Sequence, residues 1–357
     1  MNLYSKVEQE INKGLEGENN GITIGFPFLD NYISLRKRMY TLIFAGSGIG
    51  KSSFASEAYI LNPIDWYLKN KHNTKTKLKI HYFSMERSSV YTVCKWVSRK
   101  IFLDHGISIP VSQMLGWGGK RLTPLYHDYV KSYKDYLGEL EEIVEIYDGA
   151  CNPTGIFKNI RDFGALNGKI EDVSEHKKIY IPNDDNLVTE YIIDHQSRIK
   201  TEKGMTSKKE AIDVTSGYLQ MARDFYGFSP LMIAQTGRQL GNIMYSNKAE
   251  SFEPTPEQIM DSSIPYFDSD VCMSLFDPLY YNTGAPSGHD ALRLKNNETG
   301  AKYYRSLKIH KNTWGESDLR KGLAFHGMVG TFKELKKASD MTEQDYQAIL
   351  NNTYFLK

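Results

Sequence analysis

The chain alternates short uninterrupted apolar runs with longer stretches whose apolar residues return every three or four positions. "RMYTLIFAG" (38–46), "KIHYFS" (79–84), "IVEIYDG" (143–149), "VTEYIID" (188–194) and "SPLMIAQTG" (229–237) read as strands buried on both faces. Helical spacing follows them in "KSSFASEAYIL" (51–61), with Pro63 close behind, and in "VYTVCKWVSRKIF" (90–102). It returns across 120–142, in "PTGIFKNIRDFGALNGK" (153–169) and in "AIDVTSGYLQMARDFYG" (211–227). Strand and helix in alternation predict an α/β fold, a mostly parallel sheet with helices on both faces. The rhythm changes after residue 268: "SDVCMSLFDPLYY" and "YYRSLKIHKN" have few helical positions between them, which predicts antiparallel strands at one edge. "IEDVSEHKKIYIPNDDN" (170–186) reads as a polar excursion, and 282–300 as a loop rich in glycine and asparagine. The opening "LYSKVEQEINKGL" reads as an amphipathic helix ending in "EGENNG"; residues 1–20 are expected to form an arm or linker and 21–357 the main domain.

Composition narrows this little. The 357 residues carry 44 basic and 43 acidic side chains, a net charge of +1, so a nucleic-acid partner would need a local patch. Three scattered cysteines, Cys94, Cys151 and Cys272, without a CxxC pair, favour a reducing compartment over a disulfide framework or structural zinc. No apolar stretch approaches the roughly 18 residues of a membrane span, which predicts a cytoplasmic protein without a membrane partner.

The chemistry concentrates in "FAGSGIGKSSF", 44–54. Gly46, Gly48 and Gly50 are expected to take positive φ and turn successive N–H groups inward as a nest for phosphate oxygens. The helix behind them would add about half an elementary charge at its N-terminus. This is the P-loop pattern, with Ala45 in its first position. The candidate ATP-binding residues are Ala45, Gly46, Ser47, Gly48, Ile49, Gly50, Lys51, Ser52 and Ser53, with Lys51 on the β- and γ-phosphates and the Ser52 hydroxyl on Mg²⁺.

Hydrolysis needs more than binding. Asp194 closes the strand "YIID" and is a candidate second support for Mg²⁺. Glu86, in "HYFSMERS", stands where a carboxylate can polarise the attacking water, or else merely caps the next helix. Gln235 ends "LMIAQ" and offers an amide to sense the γ-phosphate, or one satisfied by backbone. "RIKTEKGMTSKKE" sets Arg198, Lys200, Lys203, Lys208 and Lys209 against two glutamates, and "GRQLGN" carries Arg238. Flexible basic loops of this kind suit a single-stranded backbone, although such runs also occur as solvated surface.

Taken in order, "GITIGFPFLDNYI", the glycine loop, "YFSMERS", "YIIDHQSRI", "LMIAQTGRQ", "DSSIPYFDSDVCMSLF" and "LKIHKNTWG" resemble the motor domain of DnaB-type replicative helicases, over about residues 20 to 335. The resemblance implies a RecA-like P-loop ATPase core. It implies ATP and Mg²⁺ as cofactors, Glu86 as catalytic base, and Gln235 coupling the γ-phosphate to the DNA loops. It also implies single-stranded DNA as partner, a homo-hexamer or other ring with ATP between subunits, 5′–3′ movement, and a primase or loader. A neighbour's Lys-x-Arg strand completes the site in that family; Lys311 matches the lysine, but Thr313 stands in the arginine's place, with Arg320 or Lys321 as substitutes from a nearby turn. The resemblance does not extend to an N-terminal collar domain, as in a collarless phage-type version. Left beside the helicase are a recombinase or loader ATPase with slow turnover, a small-molecule kinase, and a nucleotide-binding regulatory protein.

Overall fold

Each apolar run becomes a strand because a buried backbone must pair its N–H and C=O groups. The structure is a computed structural model and describes residues 3–17, 19–237 and 252–356. Its strands are β1 Thr41–Ala45, β2 Lys77–Ser84, β3 Val144–Asp148, β4 Gly168–Ser174, β5 Lys177–Pro182, β6 Leu187–Asp194, β7 Ser229–Gln235, β8 Val271–Phe276, β9 Tyr304–Asn312, β10 Leu319–His326 and β11 Thr331–Glu334. Nine of them form one sheet in the order β11-β10-β9-β8-β1-β7-β6-β2-β3.

The helices are α1 Leu3–Leu15, α2 Lys51–Ser56, α3 Asn62–Asn70, α4 Ser89–His105, α5 Val111–Met114, α6 Pro124–Ser132, α7 Lys134–Ile143, α8 Pro153–Asn167, α9 Lys208–Met221, α10 Ile264–Asp268 and α11 Glu343–Leu350. Alternate strand residues serve opposite faces. On β1, Ile43 and Ala45 pack with Phe54, Tyr59 and Ile64 of the α2–α3 side. Leu42 and Phe44 pack with Ile156 and Ile160 of α8 and Ile212 of α9. Residues 22–35 join the first of these cores through Ile22, Ile24, Phe26, Leu29, Ile33 and Leu35. Glu334 of β11 pins them by accepting hydrogen bonds from the Phe28 and Leu29 amides.

Four local expectations are corrected. β8 runs parallel to β1, Thr41 opposite Val271, so the antiparallel edge begins only at β9; residues 236–270 give the chain length enough to return to the other end of the sheet. The polar excursion 170–186 is largely a hairpin, β4 against β5, seated where Tyr180 packs on Tyr226 and Phe228. Residues 120–142 make two helices: Thr123 caps α6 ahead of Pro124, and Tyr133 leaves helical geometry to bond Asp104 at 2.7 Å. The helix behind the glycine loop does not stop before Pro63. It widens into a π-turn over Glu57–Leu61 and continues as α3, and the wider turn accommodates a residue that has no N–H to give.

Candidate functional site

The glycine loop leaves β1 at Ala45, whose neighbours across the sheet are Gln235 on β7 and Leu275 on β8. Gly48 and Gly50 are left-handed, at φ 75° and 114°. A Cβ on Gly50 would also stand 3.1 Å from the Phe332 ring and 3.2 Å from that of Phe325, so both conformation and packing ask for glycine. Gly46 does not take positive φ, against expectation. Its carbonyl instead accepts a 2.8 Å hydrogen bond from the Lys51 ammonium, which folds back over the loop. From the other side Arg305 of β9 donates its Nε–H to the Ile49 carbonyl at 2.8 Å.

Lys51 is only 8% exposed. Burial pulls its pKa down to about 8, while the nearby Asp194 and Glu86 charges act the other way. Ser52 opens α2 and donates its hydroxyl to Asp194 Oδ1 at 3.0 Å. The Tyr82 phenol donates to Asp194 Oδ2 at 2.8 Å. Burial raises the Asp194 pKa, and those two hydrogen bonds and His195 offset part of the rise. Ser52 and Asp194 together are hard oxygen donors of the kind Mg²⁺ takes alongside phosphate and water.

Glu86 lies just past β2, beside Asp194 because Ser84 is the register partner of Asp194. Its carboxylate is 3.5 Å from His195 Nε2 and 3.9 Å from the Arg198 guanidinium. With Lys51, Ser52, Asp194 and Gln235 it lines one cavity of about 450 Å³. Those five expected residues are therefore brought together, as are Ser47, Gly48, Gly50 and Ser53 of the loop. Lys95 also reaches the cavity, unforeseen from the sequence, and donates to Ser53 Oγ at 2.8 Å; burial lowers its pKa. The available signal was a lysine among the inward positions of an apolar helix, one turn from the buried Thr92 and Arg99.

Lys311 is not in this cavity. It pairs with Cys272 near the start of β8, at the sheet edge opposite the glycine loop, and donates to the Tyr266 and Phe267 carbonyls. The Thr313 hydroxyl donates to the Asp270 carbonyl. Arg320 is engaged by Glu253 at 2.8 Å, and Lys321 stands 3.9 Å from Glu334 and over the Phe28 ring. Arg198, Lys200, Lys203, Lys208 and Lys209 are all exposed. Their segment is not the free loop expected from its composition. Lys200 N donates to the Cys151 carbonyl, Glu202 holds the Thr154 hydroxyl at 2.7 Å, and Lys208 and Lys209 lie in the first turn of α9, capped by Ser207. Arg238 lies outside the described residues. Among the described residues no cluster of His, Cys, Asp and Glu fits a metal by protein ligands alone, and no helix is long and apolar enough to cross a membrane.

No family model matches the sequence, and no curated protein matches it. Solved structures do resemble the fold. One of them, a helicase ATPase domain, is 17% identical with a TM-score of 0.66, over 93% of this chain and 98% of that one. A DnaB-like replicative helicase, solved in a study of its interactions with primase, is 16% identical with a TM-score of 0.64, over 94% of this chain and 67% of that one. The chain thus has the RecA-like fold of a DnaB-type helicase motor domain, with antiparallel strands at its C-terminal edge.

Proposed function

We propose that the chain is the ATP-driven motor of a ring-shaped replicative helicase, moving 5′ to 3′ along single-stranded DNA. The reading is carried by one observation: Lys51, the Ser52–Asp194 pair and Glu86 face a single cavity at the strand ends. Likeness in fold to a helicase ATPase domain and to a DnaB-like replicative helicase supports it further.

In this reading the backbone N–H groups of 46–50 and the Lys51 ammonium hold the β- and γ-phosphates. Ser52 and Asp194 hold Mg²⁺, which when bound offsets charge on the phosphate oxygens. Glu86 takes a proton from water as its oxygen bonds to the γ-phosphorus and the bond to the β-phosphate oxygen breaks, leaving ADP and phosphate. Gln235 orients that water and reports the γ-phosphate to the segment beyond β7. Arg198, Lys200, Lys203, Lys208, Lys209 and Arg238 grip the DNA backbone. Lys311 enters the site of a neighbouring copy, an assignment in keeping with its distance from the chain's own glycine loop. The apolar stripe of α1, Leu3, Val7, Ile11 and Leu15, is exposed and would pack on that neighbour. A primase or loader remains the partner implied for such a motor.

The test is ATPase rate with and without oligodeoxynucleotide, together with unwinding of forks tailed on either strand. DNA-stimulated turnover and unwinding from a 5′ tail are expected; phosphoryl transfer to a small molecule, or binding without turnover in any assembly, would overturn the reading. One observation favours a slower loader or recombinase ATPase. Thr313 replaces an arginine, and both substitutes, Arg320 and Lys321, are engaged within the chain. Stimulated turnover without strand separation would select it.

A further inference from the structure

Beside the cavity lies a stack of side chains that the ATPase does not require. The segment "GWGGK", 116–120, has Gly116, Gly118 and Gly119 all left-handed. Nothing lies within 4 Å of where a Cβ on Gly118 or Gly119 would stand. This glycine arm holds Trp117 53% exposed. The indole stacks on Tyr91 at the start of α4, with ring centroids 5.9 Å apart and planes 12° from parallel. The Arg87 guanidinium stands 5.1 Å over the same Tyr91 ring. Arg87, Lys120 and Arg121 are exposed and have no acidic partner among the described residues. A nearby acid, Asp148, is taken up by the Ser89 hydroxyl at 2.9 Å.

An indole left in water forgoes the free energy of burial, so its support on a neighbouring ring points to a ligand with a flat face. Protein hot spots sit in desolvated apolar surroundings, whereas Trp117 is bordered by glycines and cations. Stacked aromatic rings flanked by unpaired basic groups match the demands of unpaired bases and the phosphates between them. We propose that Trp117, Tyr91 and Arg87 form a stacking site for bases of single-stranded nucleic acid, with Lys120 and Arg121 on its phosphates. The site adds to the basic segments assigned above and rests on the same partner. Arg87 adjoins Glu86 in the chain and lines the nucleotide cavity with Tyr91, so a strand on the stack touches the wall of the hydrolytic site.

The experiment measures binding of a fluorescent oligothymidylate at about 0.1 M salt to wild type, Trp117→Ala, Trp117→Phe and Lys203→Ala. Affinity for a fluorescent ATP analogue and sedimentation are followed in parallel. Loss of one base stack corresponds to roughly a 5- to 100-fold weaker complex. That loss is expected for Trp117→Ala and most of the affinity should return in Trp117→Phe, with analogue binding and assembly mass unchanged. Equal oligonucleotide affinity in Trp117→Ala, with Lys203→Ala weakened, overturns the stacking site and leaves the motor intact. Loss of analogue affinity instead reassigns the stack to the base of bound nucleotide, and loss of assembly mass reassigns it to a contact between copies; either overturns the proposal. Failure of wild type to bind any oligonucleotide removes the motor reading itself.

Discussion

Two carboxylates end neighbouring strands, yet their surroundings divide the work between them. Asp194 is buried and fixed by two hydroxyl donors, while Glu86 is partly exposed and meets its cations only at 3.5 Å and 3.9 Å, keeping lone pairs for water. Glu86→Gln is therefore expected to bind the fluorescent ATP analogue normally and to lose turnover by about 10²- to 10⁴-fold. Lys51→Ala is expected to weaken nucleotide roughly 10- to 100-fold in calorimetry, the worth of a charge-assisted hydrogen bond. A third carboxyl, Glu190, sits in mid-β6, wholly buried, with one oxygen lacking any partner in the described structure. Burial raises its pKa well above the usual value, so the folded chain keeps a proton that the unfolded chain releases. Its contribution to stability is present below the ordinary carboxylate pKa and is lost as pH rises toward the folded value. Glu190→Gln should flatten that decline and raise the melting temperature at pH 8 by roughly 1–3 °C; an unchanged pH profile would count against a protonated Glu190.

Among the elements, the π-turn after α2, helix α4 and strand β11 meet at one buried ion pair. Arg99 holds Glu57 through Nε and Nη2, and Glu57 also accepts from the Thr331 hydroxyl at 2.6 Å. Arg99→Ala leaves that carboxylate uncompensated and is expected to cost about 3–5 kcal/mol in urea unfolding, part of it recovered in the double variant with Glu57→Gln. Little of this was legible in the sequence. β1, β2, β6 and β7 were readable because strands covered on both faces are apolar without interruption. β10 and β11 were not, since "LRKGLAFH" and "TFKE" mix charges with short apolar runs and draw their partners from strands far along the chain. Burial of Arg99 and Lys95 was hidden too, because their partners Glu57 and Ser53 lie 42 residues away. Asp194 and Glu86 could be found as site residues because both come at the ends of legible strands.

For the whole molecule, one chain offers a nearly complete site at one sheet edge and Lys311 at the other. Mixing is the corresponding test: Lys311→Ala and Glu86→Gln proteins, each inactive when assembled alone, should regain part of the ATPase at junctions where intact groups meet. No recovery at any ratio would argue against a site shared between copies. β9 gives that division a mechanical meaning. Arg305 near its start holds the Ile49 carbonyl of the glycine loop, and Lys311 near its end lies six residues on, roughly 20 Å away at the rise of an extended strand. In the proposed ring, a single stiff rod then joins the receiving side of each engine to the spark for the next. Firing would pass around the circle in one rotational sense, like a relay, because each occupied seat shifts the plug of only one of its two neighbours.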